Sequence, residues 1–141
     1  MRITLLGAGH IGQTIARLLG GSGDYEVTVV DRSEAALARL ADEPARTQLA
    51  DTGSPEALLQ VLRGQDAVVN ALPYHLATLA ATQAREAGCH YFDLTEDVAA
   101  TRAIHQLADG AATVFMPQCG LAPGFIGIVA NHLAQGFDSL Q

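Results

Sequence analysis

Near the start of the chain, Gly7-Ala8-Gly9-His10-Ile11-Gly12 follows a short apolar run and opens a helical pattern. Three glycines at this G-x-G-x-x-G spacing have a chemical meaning. Gly7 permits a tight turn, Gly9 lacks the Cβ that would keep a diphosphate from the backbone, and Gly12 lets the helix lie close to the strand. The helix start presents unpaired N–H groups and the positive end of its dipole, which suit the charge of a pyrophosphate. His10 and Ile11 fill the variable positions of this binding loop, and His10 needs no chemistry of its own. Asp31 comes 19 residues after Gly12, closing a second apolar run. A carboxylate there accepts from both hydroxyls of an adenosine ribose and repels a 2′-phosphate, so NAD is preferred and NADP is the second option. Arg32, beside it, has the fork that embraces a 2′-phosphate.

Three later stretches carry particular residues where the chain leaves a strand. "DAVVNALPYHLA" ends on Asn70 and then turns at Pro73, "CHYFDLTED" ends on Asp93-Leu94-Thr95-Glu96, and "PQCGLAPGF" follows a sixth apolar run. Tyr74 and His75 stand where a hydroxyl or imidazole can reach a ligand, although surface residues in a helix's first turn read equally well. Glu96 and Asp97 are carboxylates with the reach for acid–base work, but at a helix N-terminus dipole complementarity explains them. No convincing catalytic base is visible. His90, His105 and His132 show no convergent ligand spacing, so no metal site is assigned. Cys89 and Cys119, 30 positions apart with no Cys-x-x-Cys, read as free and mostly buried thiols.

The elements that must position these residues alternate strictly. "RITLL" precedes "HIGQTIARLLG", in which Ile11, Ile15, Leu18 and Leu19 share a helical face. Tyr25 to Asp31 is a β-branched strand, followed by a helix capped by Ser33. "RTQLA" is a weak third strand. Ser54 caps the next helix, with Pro55 in its first turn and Gly64 as its stop. "DAVVNAL" is the fourth strand, leading to a helix over Tyr74 to Ala87 that stops at Gly88. "HYFDL" and "TVFMP" are strands five and six, around a helix from Asp97 to Ala108, and a last apolar helix covers Phe125 to Leu133. Alternation with continuous apolar strands predicts a parallel sheet of about six strands with helices on both faces. Right-handed crossovers make this α/β pattern a Rossmann-type doubly wound sheet, with ligands at the carboxyl ends of the strands.

Bulk properties bound the reading. At 141 residues the chain predicts one dinucleotide-binding domain over 1–141. The net charge of −7, with no basic run, argues against a nucleic-acid or anionic-membrane partner. The N-terminus lacks a secretory core, no apolar stretch has membrane-spanning length, and a reduced cytoplasm is the expected compartment.

Taken in order, GAGHIG, the VVDRS turn, "DTGSPEAL", "DAVVNALP", "HYFDLTED" and "CGLAPGF" resemble the saccharopine dehydrogenase family, and the resemblance covers essentially all 141 residues. NALP and the Gly-x-x-Pro-Gly turn from Gly120 to Gly124 are its most specific parts. The resemblance implies a nicotinamide-dependent oxidoreductase acting on C–N bonds of amino acids, typically lysine, saccharopine or carboxylated polyamines. It implies that Gly7, Gly9 and Gly12 hold the pyrophosphate, Asp31 with Arg32 and Ser33 the ribose, and that Asp51 borders the adenine. Asn70, Ala71, Leu72, Pro73, Leu94 and Thr95 would line the path to the nicotinamide, with Pro123 and Gly124 as its far wall. Ala122 stands where saccharopine-forming members often carry Asp, which is more like the lysine-dehydrogenase branch. The family also implies a further domain that binds the amino-acid substrate and supplies the base, and the chain is expected to be the N-terminal part of a longer enzyme. A non-enzymatic NAD-sensing domain of the potassium-channel type is the alternative, and a stand-alone cofactor subunit is a third. The apolar last helix offers a route to homodimers.

Overall fold

The computed structural model describes residues 1–120, 122 and 124–137. Among the described residues six strands and six helices alternate: β1 (Arg2–Leu6), α1 (His10–Gly21), β2 (Glu26–Asp31), α2 (Glu34–Ala38), β3 (Arg46–Leu49), α3 (Pro55–Leu62), β4 (Ala67–Asn70), α4 (Ala77–Ala87), β5 (His90–Asp93), α5 (Val98–Ala108), β6 (Phe115–Met116) and α6 (Phe125–Ala134). All pairings are parallel and the order is β3-β2-β1-β4-β5-β6. This is the doubly wound Rossmann sheet the alternation predicts, with its direction reversing between β1 and β4.

Side chains alternate across each strand, so the sheet feeds two cores. Leu6, Val30, Val68 and Tyr91 pack with Leu58, Leu62, Ala80, Ala84 and Ile104 of α3, α4 and α5. Leu5, Val27 and Val29 pack on the other face with Ala16 of α1 and with Leu37 and Leu40. The small residues of α1 and α4 allow helix and sheet to approach closely.

The serine caps of α2 and α3 are where the sequence puts them, and Asp97 caps α5. Ser33 Oγ accepts from Ala36 N–H at 3.2 Å, Ser54 Oγ from Ala57 N–H at 3.3 Å, and Asp97 Oδ1 from Ala100 N–H at 2.7 Å. Asp97 therefore caps α5 rather than belonging to it, and Gly88, left-handed at φ 73°, ends α4. Several expectations need correction. The buried face of α1 is Gly12 and Ala16, flanked by Ile15 and Leu19, whereas Ile11 and Leu18 are exposed. The cause is steric: the helix is drawn to the strand by its smallest residues. The segment Tyr74–Leu76 is a 3-10 turn ahead of α4, and β6 spans only two residues. Cys119 is exposed, while Cys89 is buried. No residue of α6 is buried. No helix among the described residues is long and apolar enough to cross a membrane.

Candidate dinucleotide-binding crevice

At the carboxyl end of β1 the chain turns through Gly7, whose φ of 100° disfavours any side chain. A Cβ at Gly7 would also lie 2.9 Å from the Ala71 carbonyl oxygen, so the loops after β1 and β4 meet here, at the reversal of strand order. Gly12 is needed for a different reason, because its Cβ would collide with the Gly7 carbonyl. Both are explained by the protein's own packing. Gly9 is not. Its φ of −68° suits any residue, and a Cβ there would meet nothing within 4 Å among the described residues.

Gly9 is also the N-cap of α1, and it makes no side-chain cap. The first helical bond runs from Gln13 N–H to Gly9 O at 2.9 Å, which leaves the N–H groups of His10, Ile11 and Gly12 without intrahelical acceptors. No acidic residue occupies the first turn to use the dipole. Bare donors, a positive helix end and open space at Gly9 together fit a diphosphate.

Asp31 ends β2 beside this loop. Its Oδ2 accepts from Ala8 N–H at 2.7 Å and its Oδ1 from Ser33 N–H at 2.8 Å. These bonds aim the carboxylate at the glycine loop and occupy about two of its roughly four acceptor positions, leaving two for vicinal hydroxyls. Spacing alone brings Asp31 to the loop, but the Ala8 bond that orients it has no sequence signal. Arg32 is exposed and makes no side-chain hydrogen bond or ion pair among the described residues. Ser33 has its hydroxyl committed to capping α2. Asp51, at the end of β3, is exposed and turns back to accept from Gly53 N–H at 2.9 Å. It lies on the same sheet edge, one strand beyond Asp31.

Across the reversal point, a crevice of about 430 Å³ is lined by Ile11, Asn70, Ala71, Leu72, Leu94 and Thr95, with Tyr74, Ala77, Glu96 and Asp97 around them. Ile11 joins the glycine loop to this second half, which explains its exposure. Pro73 sits outside the lining, exposed, at the cap of the 3-10 turn. Tyr74 is exposed and stands edge-on to His75, ring centres 5.8 Å apart. Pro123 lies outside the described residues. Gly124, at φ 122°, could not carry a Cβ without striking the Gly120 carbonyl, so the turn after β6 is closed on itself.

Sequence reasoning gave no role to Tyr91 and Asp93, which lie beneath this half with Asn70. The Tyr91 hydroxyl is 2.8 Å from Asp93 Oδ2 and 3.1 Å from both Ala77 O and Asn70 Nδ2. All three side chains are buried. Burial first, and then the Asp93 charge, push the Tyr91 phenol far above its ordinary value, so it keeps its proton and cannot act as a base. The available signal was two polar residues, Tyr91 and Asp93, on the same face of one strand.

A family model described as the saccharopine dehydrogenase NADP binding domain matches residues 3–116, from within β1 to the end of β6. The turn after β6 lies beyond that match. Among solved structures, an apo L-Glu-forming saccharopine dehydrogenase from Saccharomyces cerevisiae is similar at 24% identity and a TM-score of 0.84, covering 96% of this chain and 31% of its own. A myo-inositol dehydrogenase from Corynebacterium glutamicum is 26% identical, with a TM-score of 0.69 over 100% of this chain and 43% of its own. The WlbA dehydrogenase from Chromobacterium violaceum, in complex with NADH and UDP-GlcNAcA, is 22% identical with a TM-score of 0.65 over 83% of this chain and 34% of its own. The chain thus spans less than half the length of each of these proteins. With the glycine loop, the β2 carboxylate and the β4 and β5 edges all inside the matched stretch, the chain belongs to the saccharopine dehydrogenase NADP binding domain family, and it is an NAD(P)-binding domain.

Proposed function

We propose that this chain is the cofactor-binding part of an oxidoreductase acting on the C–N bond of an amino acid, with lysine, saccharopine or a related amine as substrate and NAD preferred over NADP. The observation that carries the dinucleotide half of this reading is Gly9, a glycine whose missing side chain leaves space that no protein atom uses. The donors of His10, Ile11 and Gly12 would hold the diphosphate and Asp31 the ribose. Leu72, Leu94 and Thr95 would flank the nicotinamide half. When bound, the dinucleotide supplies hydride transfer at its nicotinamide ring. Family membership supports the C–N substrate class.

Although the family description names NADP, the Asp31 carboxylate supports NAD, because a 2′-phosphate would meet a like charge at the position the ribose hydroxyls occupy. The amino-acid site and its proton-accepting base are assigned to a further domain, in keeping with the 31% of the yeast saccharopine dehydrogenase that is covered. The free thiols Cys89 and Cys119 suit a reducing cytoplasm, and α6 offers an apolar face for pairing with a second copy.

Calorimetric titration with NADH and NADPH tests the reading, since the chain has no Trp to report by fluorescence. NADH is expected to bind about tenfold or more tighter than NADPH, and Asp31→Asn to remove most of that preference. Tighter binding of NADPH by the parent would transfer the ribose role to Arg32. Binding of neither dinucleotide would overturn the proposal.

A further inference from the structure

The buried Tyr91–Asp93–Asn70 cluster has no part in holding the diphosphate or the ribose, yet it reaches the turns after β4, β5 and β6. Asn70 Oδ1 accepts from Leu72 N–H at 3.1 Å, fixing the turn after β4. Asp93 Oδ1 accepts from Thr95 N–H at 3.0 Å, fixing the turn after β5. The same oxygen accepts from Gln118 N–H at 3.1 Å, and Asp93 O accepts from Cys119 N–H at 2.8 Å, tying down the turn after β6. The Tyr91 hydroxyl joins Asn70 to Asp93, so three loops are referred to one set of bonds.

The turn after β6 is held in a costly conformation. Gln118, at φ 64°, is the one non-glycine residue at positive φ among the described residues. Such a backbone persists only where its surroundings over-determine it, and here the Asp93 carboxylate does so. Two residues on, Gly120 comes so close to Leu94 that a Cβ would lie 3.3 Å from the Leu94 carbonyl oxygen. Leu94 in turn lines the crevice. Position therefore passes from Asp93 through Gln118 and Gly120 to the crevice wall.

We infer that Asp93, with Tyr91, is a positioning residue that sets the nicotinamide half of the crevice without touching the cofactor, and that Asn70 links it to the crevice lining. This rests on the dinucleotide reading above. Hydrogen-bond accounting predicts which substitution is tolerated. In Asp93→Asn the amide oxygen keeps the Thr95 and Gln118 N–H groups. Its NH2 then donates to the Tyr91 oxygen, whose proton moves to Ala77 O, so every partner remains satisfied. Asp93→Ala leaves both backbone donors orphaned.

Calorimetry with two ligands separates positioning from general damage: ADP-ribose uses the diphosphate and ribose contacts alone, whereas NADH also needs the nicotinamide half. Asp93→Ala is expected to weaken NADH about tenfold while changing ADP-ribose less than about twofold, and Asp93→Asn to keep the parent ratio within about twofold. Tyr91→Phe, which retains the ring, is expected to shift the ratio about threefold and decides the matter if Asp93→Ala fails to fold. Equal changes for the two ligands, an unchanged ratio in the folded variants, or Asp93→Asn as poor as Asp93→Ala would overturn the inference. So would a parent that binds ADP-ribose as tightly as NADH. A parent that binds neither ligand overturns the dinucleotide reading itself and the inference with it.

Discussion

The two halves of the crevice are built by opposite means. On the β1–α1–β2 side the chain withdraws: Gly7, Gly9 and Gly12 remove side chains, and bare backbone N–H groups face the space left behind. On the β4–β5–β6 side the chain fills in, and buried side chains hold three loops through hydrogen bonds. The first half recognises by backbone and needs few residues of fixed type. The second is shaped from beneath, so its lining can vary while its support cannot. One scaffold can thereby keep a constant diphosphate site and an adjustable reacting end.

Breaking the first half at its base has the largest expected effect. Gly12→Ala drives a Cβ into the Gly7 carbonyl, and since both atoms belong to main chain in a packed interface, α1 must move away from β1. A loss of about 2–3 kcal/mol in urea unfolding is expected, together with loss of NADH binding. Full stability in Gly12→Ala would mean that the close helix–strand approach carries nothing.

Gly9→Ala sharpens the comparison. Its Cβ meets no protein atom and its φ of −68° suits alanine, so stability should stay within about 0.5 kcal/mol of the parent. NADH affinity should nevertheless fall at least about tenfold, because the methyl occupies the approach of the diphosphate. Normal NADH binding by this variant would remove the main support for the first half's role.

The smallest effect is expected at the other end of the strands. The Arg2 backbone N–H bonds Asp66 Oδ2 at 2.6 Å, the Arg2 guanidinium reaches Oδ1 at 3.2 Å, and together they hold the carboxyl below its ordinary 3.8. A depressed folded-state pKa gives stability that is present above the unfolded value and lost as pH falls through the folded one. Asp66→Asn should therefore flatten the acid limb of the stability–pH curve slightly and leave both ligand affinities alone. A changed NADH affinity would show that the two ends of the sheet are coupled.

Much of the fold was readable because its determinants are local. Ser33, Ser54 and Gly88 act on residues within one turn of themselves, and the β–α alternation leaves few topologies to consider. The glycine loop was readable for the same reason. The orientation of α1 was not, because four apolar residues define a helical face while the sheet is approached by Gly12 and Ala16. The tyrosine–aspartate–asparagine cluster was hidden for a further reason: Tyr91 and Asp93 are 21 and 23 residues from Asn70 and meet it only after β4 and β5 pair. Periodicity ranks such residues as interruptions of an apolar run, whereas packing turns them into supports.

The sheet's two margins carry one more consequence. β3 exposes all four of its residues, Arg46, Thr47, Gln48 and Leu49, and β6 is only two residues long. A charged, wet margin on one side and a truncated one on the other give an incoming strand little to pair with, which protects a chain rich in apolar parallel strands against edge-to-edge aggregation.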